Sequence, residues 1–271
     1  MIQQQLKLSW NIAMIQCDIH MGRPVDNRRI VEHWMEKALK AAVKPDLLVL
    51  PEMWNTGYAL EHIHELADAE GRESREWISE FARNNGVHVV AGSIAERRGD
   101  EVYNTMRIFA DSGEEIAAYS KIHLFRLMEE EKHLSSGQSV VTFELDGQIL
   151  GASICYDIRF PELTRTLALM GAKVLFVPAA WPHPRLHHWR TLLTARAIEN
   201  QMYVVACNRT GISGKDEFFG HSMIIDPWGE VLAEGGEEEG IVTGRIDLSL
   251  VDDVRSRIPV FEDRRANLYQ I

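Results

Sequence analysis

Short apolar runs that stop at a polar or reactive residue, each separated from the next by an amphipathic stretch, constrain this chain most. LLVL is followed by Pro51 and Glu52, IAAYS by Lys121, and GASI by Cys155. Runs of this length suit buried strands, and the stretches between them carry the period of helices laid on a sheet. Ile12 to Gln16 reads as the first strand. From Asn27 to Val43, residues Ile30, Val31, Trp34, Met35, Ala38, Leu39 and Ala42 line one helix face, with Asp26 as N-cap and Pro45 ending the segment.

A strand at Leu47 to Leu50 comes next. A helix over Ser74 to Asn84 turns Trp77, Ile78 and Phe81 inward and stops at Gly86. Strands are predicted at Val87 to Ile94, Thr105 to Ala110 and Ile116 to Tyr119. Lys121 to Gly137 has no clean period and reads as a long loop with a helical turn, a kind of segment that is often functional. Two strands surround Gly147, and the second leads into Cys155. Pro161 opens a helix carrying Leu163, Leu167 and Met170, closed by Gly171. Then come a strand at Val174 to Val177, a helix at Leu186 to Asn200, and strands at Tyr203 to Ala206, Ser222 to Ile225 and Ile241 to Ile246. From about 249 to 271 there is little pattern, and this stretch reads as a C-terminal tail. No repeat or linker divides residues 1–271, so one layered α/β domain is expected.

Of the 271 residues, 45% are hydrophobic and 25% charged, enough to bury one large core. The net charge of −11 argues against a nonspecific binder of nucleic acid or anionic lipid. No run approaches the roughly 18 apolar residues that cross a bilayer. The acidic EGGEEEG at 234–240 reads as a solvated turn. MIQQQLKLSW lacks the pattern of a secretory leader, and Cys17, Cys155 and Cys207 read as free thiols of a reducing cytoplasm.

Cys155 is a candidate nucleophile, because a helix start nearby and Arg159 both favour thiolate over thiol. Cys207 competes: it also ends an apolar run, with Arg209 close by. Cys17 reads as packing. A cysteine acting on an amide needs a base, an acid for the departing amine and a donor for the oxyanion. Glu52 and Lys121, each closing a strand, are candidates for these parts. His183 and His187 in WPHPRLHHW have the spacing of two metal ligands on one helical turn. Pro184 interrupts them and the glutamate of H-E-x-x-H is absent, so no metal is expected.

LLVLPEMWNTGY, YSKIHLF and GASICYDIRFPEL, in that order, resemble motifs of the nitrilase superfamily of carbon–nitrogen hydrolases, and ARAIENQ and HSMIIDPWG extend the likeness over nearly the whole chain. The resemblance implies an α-β-β-α sandwich without cofactor, assembled as a homodimer or larger homo-oligomer through helical faces, with the tail at a subunit interface. It also implies a Glu–Lys–Cys triad of Glu52, Lys121 and Cys155, with the backbone N–H of Tyr156 helping Lys121 to hold the oxyanion. Cys207 then becomes core or pocket wall. A second glutamate follows the lysine loop in many members. In RLMEEEKHLSSG the register on LSSG favours Glu130 over Glu129 and Glu131, although Ser136 stands where many relatives carry proline. CYDIRFPEL is most similar to omega-amidases, in particular the bacterial form associated with methionine salvage, which act on monoamides of dicarboxylates such as 2-oxoglutaramate. An N-carbamoyl amino acid amidohydrolase is the alternative. Arg159 is a candidate for bidentate binding of a substrate carboxylate, or for a salt bridge with Glu162. Tyr58, Trp181 and Arg185 are further pocket candidates.

Overall fold

Strand β1 (Ser9–Gln16) sends its side chains into two different cores. Trp10, Ile12 and Met14 join a cluster between two sheets, whereas Ala13 and Ile15 join one beneath helices. β2 (Leu47–Val49) repeats the division, with Leu47 and Val49 on one side and Leu48 and Leu50 on the other. A strand covered on both faces needs apolar residues at every position, which is why these runs do not alternate with polar residues. The computed structural model describes residues 7–269.

The first sheet adds β3 (Asp68–Ala69), β4 (His88–Arg98), β5 (Glu101–Phe109), β6 (Glu115–Ser120) and, late in the chain, β15 (Gly240–Asp247). Its order is β15-β1-β2-β4-β5-β6 with β3 beside β4, and β1, β2 and β4 run parallel. The second sheet holds β7 (Thr142–Leu145), β8 (Gln148–Ala152), β9 (Val174–Ala179), β10 (Tyr203–Asn208), β13 (Met223–Ile225) and β14 (Val231–Glu234), in the order β14-β13-β10-β9-β8-β7. Between β10 and β13, β11 (Thr210–Ser213) and β12 (Asp216–Phe219) form a separate hairpin. Helices α1 (Pro24–Leu39) and α3 (Arg72–Asn85) cover the first sheet, and α5 (Pro161–Leu169) and α6 (Leu186–Asn200) the second. Two short helices, α2 (Ile63–Leu66) and α4 (Glu130–His133), lie in connections. The result is an α-β-β-α sandwich. Among the described residues, no helix is long and apolar enough to cross a membrane.

Several boundaries differ from expectation for local reasons. α1 starts at Pro24, whose missing N–H suits the first turn, so Asp26 is inside the helix and pairs with Arg23 at 2.7 Å instead of capping it. The same helix ends at Leu39, which leaves Ala42 and Pro45 beyond it. Met170 is the exposed C-cap of α5, not part of its inward stripe. The tail contains a helix, α7 (Ser249–Arg257), packed on its own chain by Val251 and Val254 and by an Arg255 Nη2 bond to Ala172 O at 2.8 Å. With only two buried apolar residues, it leaves almost no periodic signal.

Candidate active site

The parallel strands of both sheets deliver chain to one rim, where ligand sites of open α/β sheets form. Glu52 stands beyond the end of β2. To bring the 51–53 turn close, β4 shifts register between Val90 and Ser93, and Gly92 takes φ +56 with Pro51 O where a Cβ would lie, at 2.1 Å. Lys121 follows β6, its N–H bonded to Asn104 O at 2.9 Å and its carbonyl to Gly137 N at 2.8 Å. A Cβ on Gly137 would lie 2.0 Å from Ser120 O, so the returning loop needs glycine there; Ser136, in place of proline, precedes this contact.

β8 stops at Ala152, three residues short of Cys155. Cys155 instead opens a 3₁₀ turn, Cys155–Arg159, with a φ of 46° that side-chain-bearing residues rarely adopt.

Glu52, Lys121 and Glu130 form one cluster closed to solvent. Lys121 Nζ donates to Glu52 Oε1 and Glu130 Oε1, both at 2.8 Å. Glu52 Oε1 also accepts from Asn104 Nδ2 at 2.8 Å, and its Oε2 from Ala180 N at 2.7 Å. Glu130 accepts from Tyr58 OH at 3.0 Å and from Phe125 N at 2.9 Å. Of the three consecutive glutamates, Glu130 alone points inward; Glu129 pairs with Lys132 and Glu131 is exposed.

Burial works against the Lys121 charge, but Glu130 and Glu52 outweigh it and hold the ammonium well above the ordinary lysine range. Burial raises Glu130, with Glu52 adding to the effect and Lys121 opposing it. Cys155 is pushed well above the usual thiol range, first by burial and then by Glu52. Lys121 and the Ala180 N–H pull the other way without prevailing. Burial and Glu52 thus favour the thiol form, and neither Arg159 nor the nearby helix start is among the leading groups that act on Cys155 here.

Cys155 opens onto a narrow pocket whose wall includes Tyr58, Glu130, Tyr156, Arg159, Trp181 and Arg185. Arg159 does not pair with Glu162. Its guanidinium lies 4.8 Å from the Trp181 ring, with Nη2 3.3 Å from His188 Nδ1. Arg185 sits 5.5 Å from the Phe125 ring. Among the described residues neither guanidinium has a carboxylate partner, and no group of three side chains is arranged to hold a metal. Cys207 lies in the core, its thiol 3.3 Å from Ile15 O and 3.4 Å from Val49 O, and Cys17 is buried too.

Sequence reasoning missed Asn104, Ala180 and Phe125. Asn104 had a signal, since asparagine is depleted inside strands and this one is fully buried in β5. The other two act through backbone N–H groups, which any residue supplies.

The family model for "Carbon-nitrogen hydrolase" matches residues 11–256, and the chain belongs to that family. It is an enzyme of the nitrilase fold. The chain is 53% identical over 262 residues to the 2-oxoglutaramate amidase of Bacillus subtilis (strain 168), covering 97% of this chain and 100% of that one. It is 35% identical to the omega-amidase NIT2 of Homo sapiens, covering 97% and 98%. Among solved structures, Saccharomyces cerevisiae Nit3, of branch 10 of the nitrilase superfamily, superposes with a TM-score of 0.88 at 29% identity, covering 96% and 98%.

Proposed function

We propose that this enzyme hydrolyses the terminal amide of a small dicarboxylate monoamide, 2-oxoglutaramate above all, to the dicarboxylate and ammonia. The carrying observation is that Arg159 and Arg185, free of carboxylates, line one small pocket with Cys155 and with Glu130, which is bonded to Lys121 in the buried cluster behind it. The pocket suits a substrate of few carbons, and its two cations suit the carboxylate at the end remote from the amide. The 53% identity to a 2-oxoglutaramate amidase supports the substrate.

In this reading Glu52 takes the Cys155 proton as sulfur attacks the amide carbon, so proton loss and attack are coupled in a site whose burial favours the thiol. Lys121 and the Tyr156 N–H stabilise the oxyanion; that N–H precedes the first hydrogen bond of the 3₁₀ turn, from Asp157 N to Ile154 O. Glu52 passes the proton to nitrogen, the C–N bond breaks, and ammonia leaves a thioester. A water then gives its proton to Glu52 and attacks the thioester; the acid departs and the thiol is restored. One water enters for each ammonia released. Glu130 holds Lys121 and Tyr58 in place.

Ammonia measured from 2-oxoglutaramate and from N-carbamoyl amino acids, beside Cys155→Ala, tests the reading. Carbon dioxide appearing with ammonia from the carbamoyl compounds alone would move the assignment to an N-carbamoyl amino acid amidohydrolase. We place the reaction in methionine salvage in a reducing cytoplasm, which the three free thiols support; deletion of the gene with no accumulation of the oxo-amide would refute this. We also propose a homodimer or larger assembly, supported by exposed Leu169, Met170 and Ile198 on the outer helical face. A monomeric mass by light scattering at micromolar concentration would exclude it.

A further inference from the structure

We propose that Asp157 is a positioning residue whose buried carboxylate ties the turn carrying Cys155 to the segment carrying Lys121, fixing nucleophile against cation. It rests on the reading above in that Cys155 and Lys121 do the chemistry.

Asp157 is fully buried and accepts four hydrogen bonds. Its Oδ2 takes Ile154 N at 2.9 Å and Tyr119 OH at 2.7 Å. Its Oδ1 takes His123 N at 3.1 Å and lies 2.8 Å from His123 Nδ1. Ile154 directly precedes Cys155, while Tyr119 and His123 stand two residues either side of Lys121. One carboxylate therefore holds both catalytic segments. A second link runs parallel to it: the His123 ring stacks on Phe160, the residue that closes the Cys155 turn, at 3.6 Å between centroids and 8° between planes.

The device suits the strain it restrains. A non-glycine residue at a φ of 46° persists only where its surroundings over-determine it. The ionised carboxylate offers about four acceptor sites and meets four donors here. Asparagine offers one oxygen and turns an NH₂ towards donors on the other side. Burial and the Asp157 charge keep the Tyr119 phenol protonated, so it remains a donor across the working pH range.

Asp157→Asn is expected to lower kcat about 100-fold, the scale of an ångström-level misplacement, with KM within about threefold of the parent. His123→Asn, whose Nδ2 can replace the ring Nδ1 as donor while the stack on Phe160 is lost, is expected to keep at least about ten times the kcat of His123→Leu. The rate of Cys155 alkylation by iodoacetamide, with Cys155→Ala as background, is expected to depart from the parent by about tenfold in Asp157→Asn and His123→Leu, equivalent to one unit of thiol acidity. It departs from the parent less in His123→Asn than in His123→Leu. Should Asp157→Asn fail to fold, the two His123 variants decide. Unchanged kcat per folded molecule in Asp157→Asn, or equal losses in His123→Asn and His123→Leu, overturns the proposal. A parent that alkylates as described but releases no ammonia from 2-oxoglutaramate defeats the substrate reading and leaves this one intact.

Discussion

Lys121 Nζ lies 2.8 Å from Glu52 Oε1, and neither side chain touches solvent. Because Glu130 meets the same ammonium, the buried cluster carries two carboxylates for one cation. Lys121→Met strands both. A loss of about 3–5 kcal/mol in unfolding free energy is expected, together with loss of ammonia release. Adding Glu130→Gln should restore part of the stability and none of the activity. Urea unfolding of the single and double variants checks this, and an unchanged midpoint in Lys121→Met would show that the pair stores no net stabilisation.

The two cysteines that competed at the sequence level should separate in opposite directions. Cys155→Ala is expected to abolish turnover while shifting stability by no more than about 1 kcal/mol, since the strained turn is held by other residues. Cys207→Ala should keep its turnover and lose about 1 kcal/mol, because it leaves a gap between the sheets. Activity and thermal unfolding measured on both variants test the pair together.

Stability should fall on the alkaline side. Cys17, Cys155, Cys207, Tyr58 and Tyr119 are all raised, with burial as the leading cause, and Lys121 is raised by Glu130 and Glu52 against its burial. Each group binds its proton more tightly folded than unfolded. Its contribution is complete below the unfolded pKa, about 8.5 for thiols and about 10 for tyrosine and lysine, and is lost as pH rises further. Denaturant midpoints from pH 7 to pH 10.5 should therefore hold steady and then drop above about pH 8.5, and Cys207→Ala should soften the drop. A flat profile would contradict the burial of these thiols.

Arg159→Gln should raise KM for 2-oxoglutaramate by about 10- to 100-fold, the worth of a charge-assisted hydrogen bond, and leave small uncharged amides nearly unaffected. Kinetics on both substrate types distinguish carboxylate recognition from support of the Trp181 wall, against which the guanidinium rests. Equal losses on both would assign Arg159 to the wall.

Some elements were legible to the residue. Leu186–Asn200 was expected and is observed over that span, because Trp189, Leu193 and Ala197 recur at helical spacing and Gln201 follows in the left-handed conformation, although Arg196 and Asn200 share the buried face. α3 was expected over Ser74 to Asn84 and spans Arg72–Asn85, its end set within one residue by the left-handed Gly86. By contrast, the β11–β12 hairpin and α7 were missed, since their stability comes from neighbours and not from local period. Asp26 was misread because Pro24, two residues earlier, had already begun the helix.

The sequence by itself determined that Glu52 and Lys121 each follow a strand and that Cys155 lies just past one, because side-chain periodicity reports local backbone form; that the strand before Lys121 is a half-buried edge strand was not legible. It determined the family too, through three motifs in order. Only the tertiary structure decided that Glu130 and not its neighbours meets Lys121, that Asn104 bonds Glu52, and that Asp157 bonds Tyr119. Those outcomes depend on groups 9 to 52 positions apart along the chain: Glu52 and Asn104 meet within the first sheet, and Tyr119 and Asp157 meet across the two. Local patterning encodes which way a side chain faces; what it faces is set by packing across the sandwich.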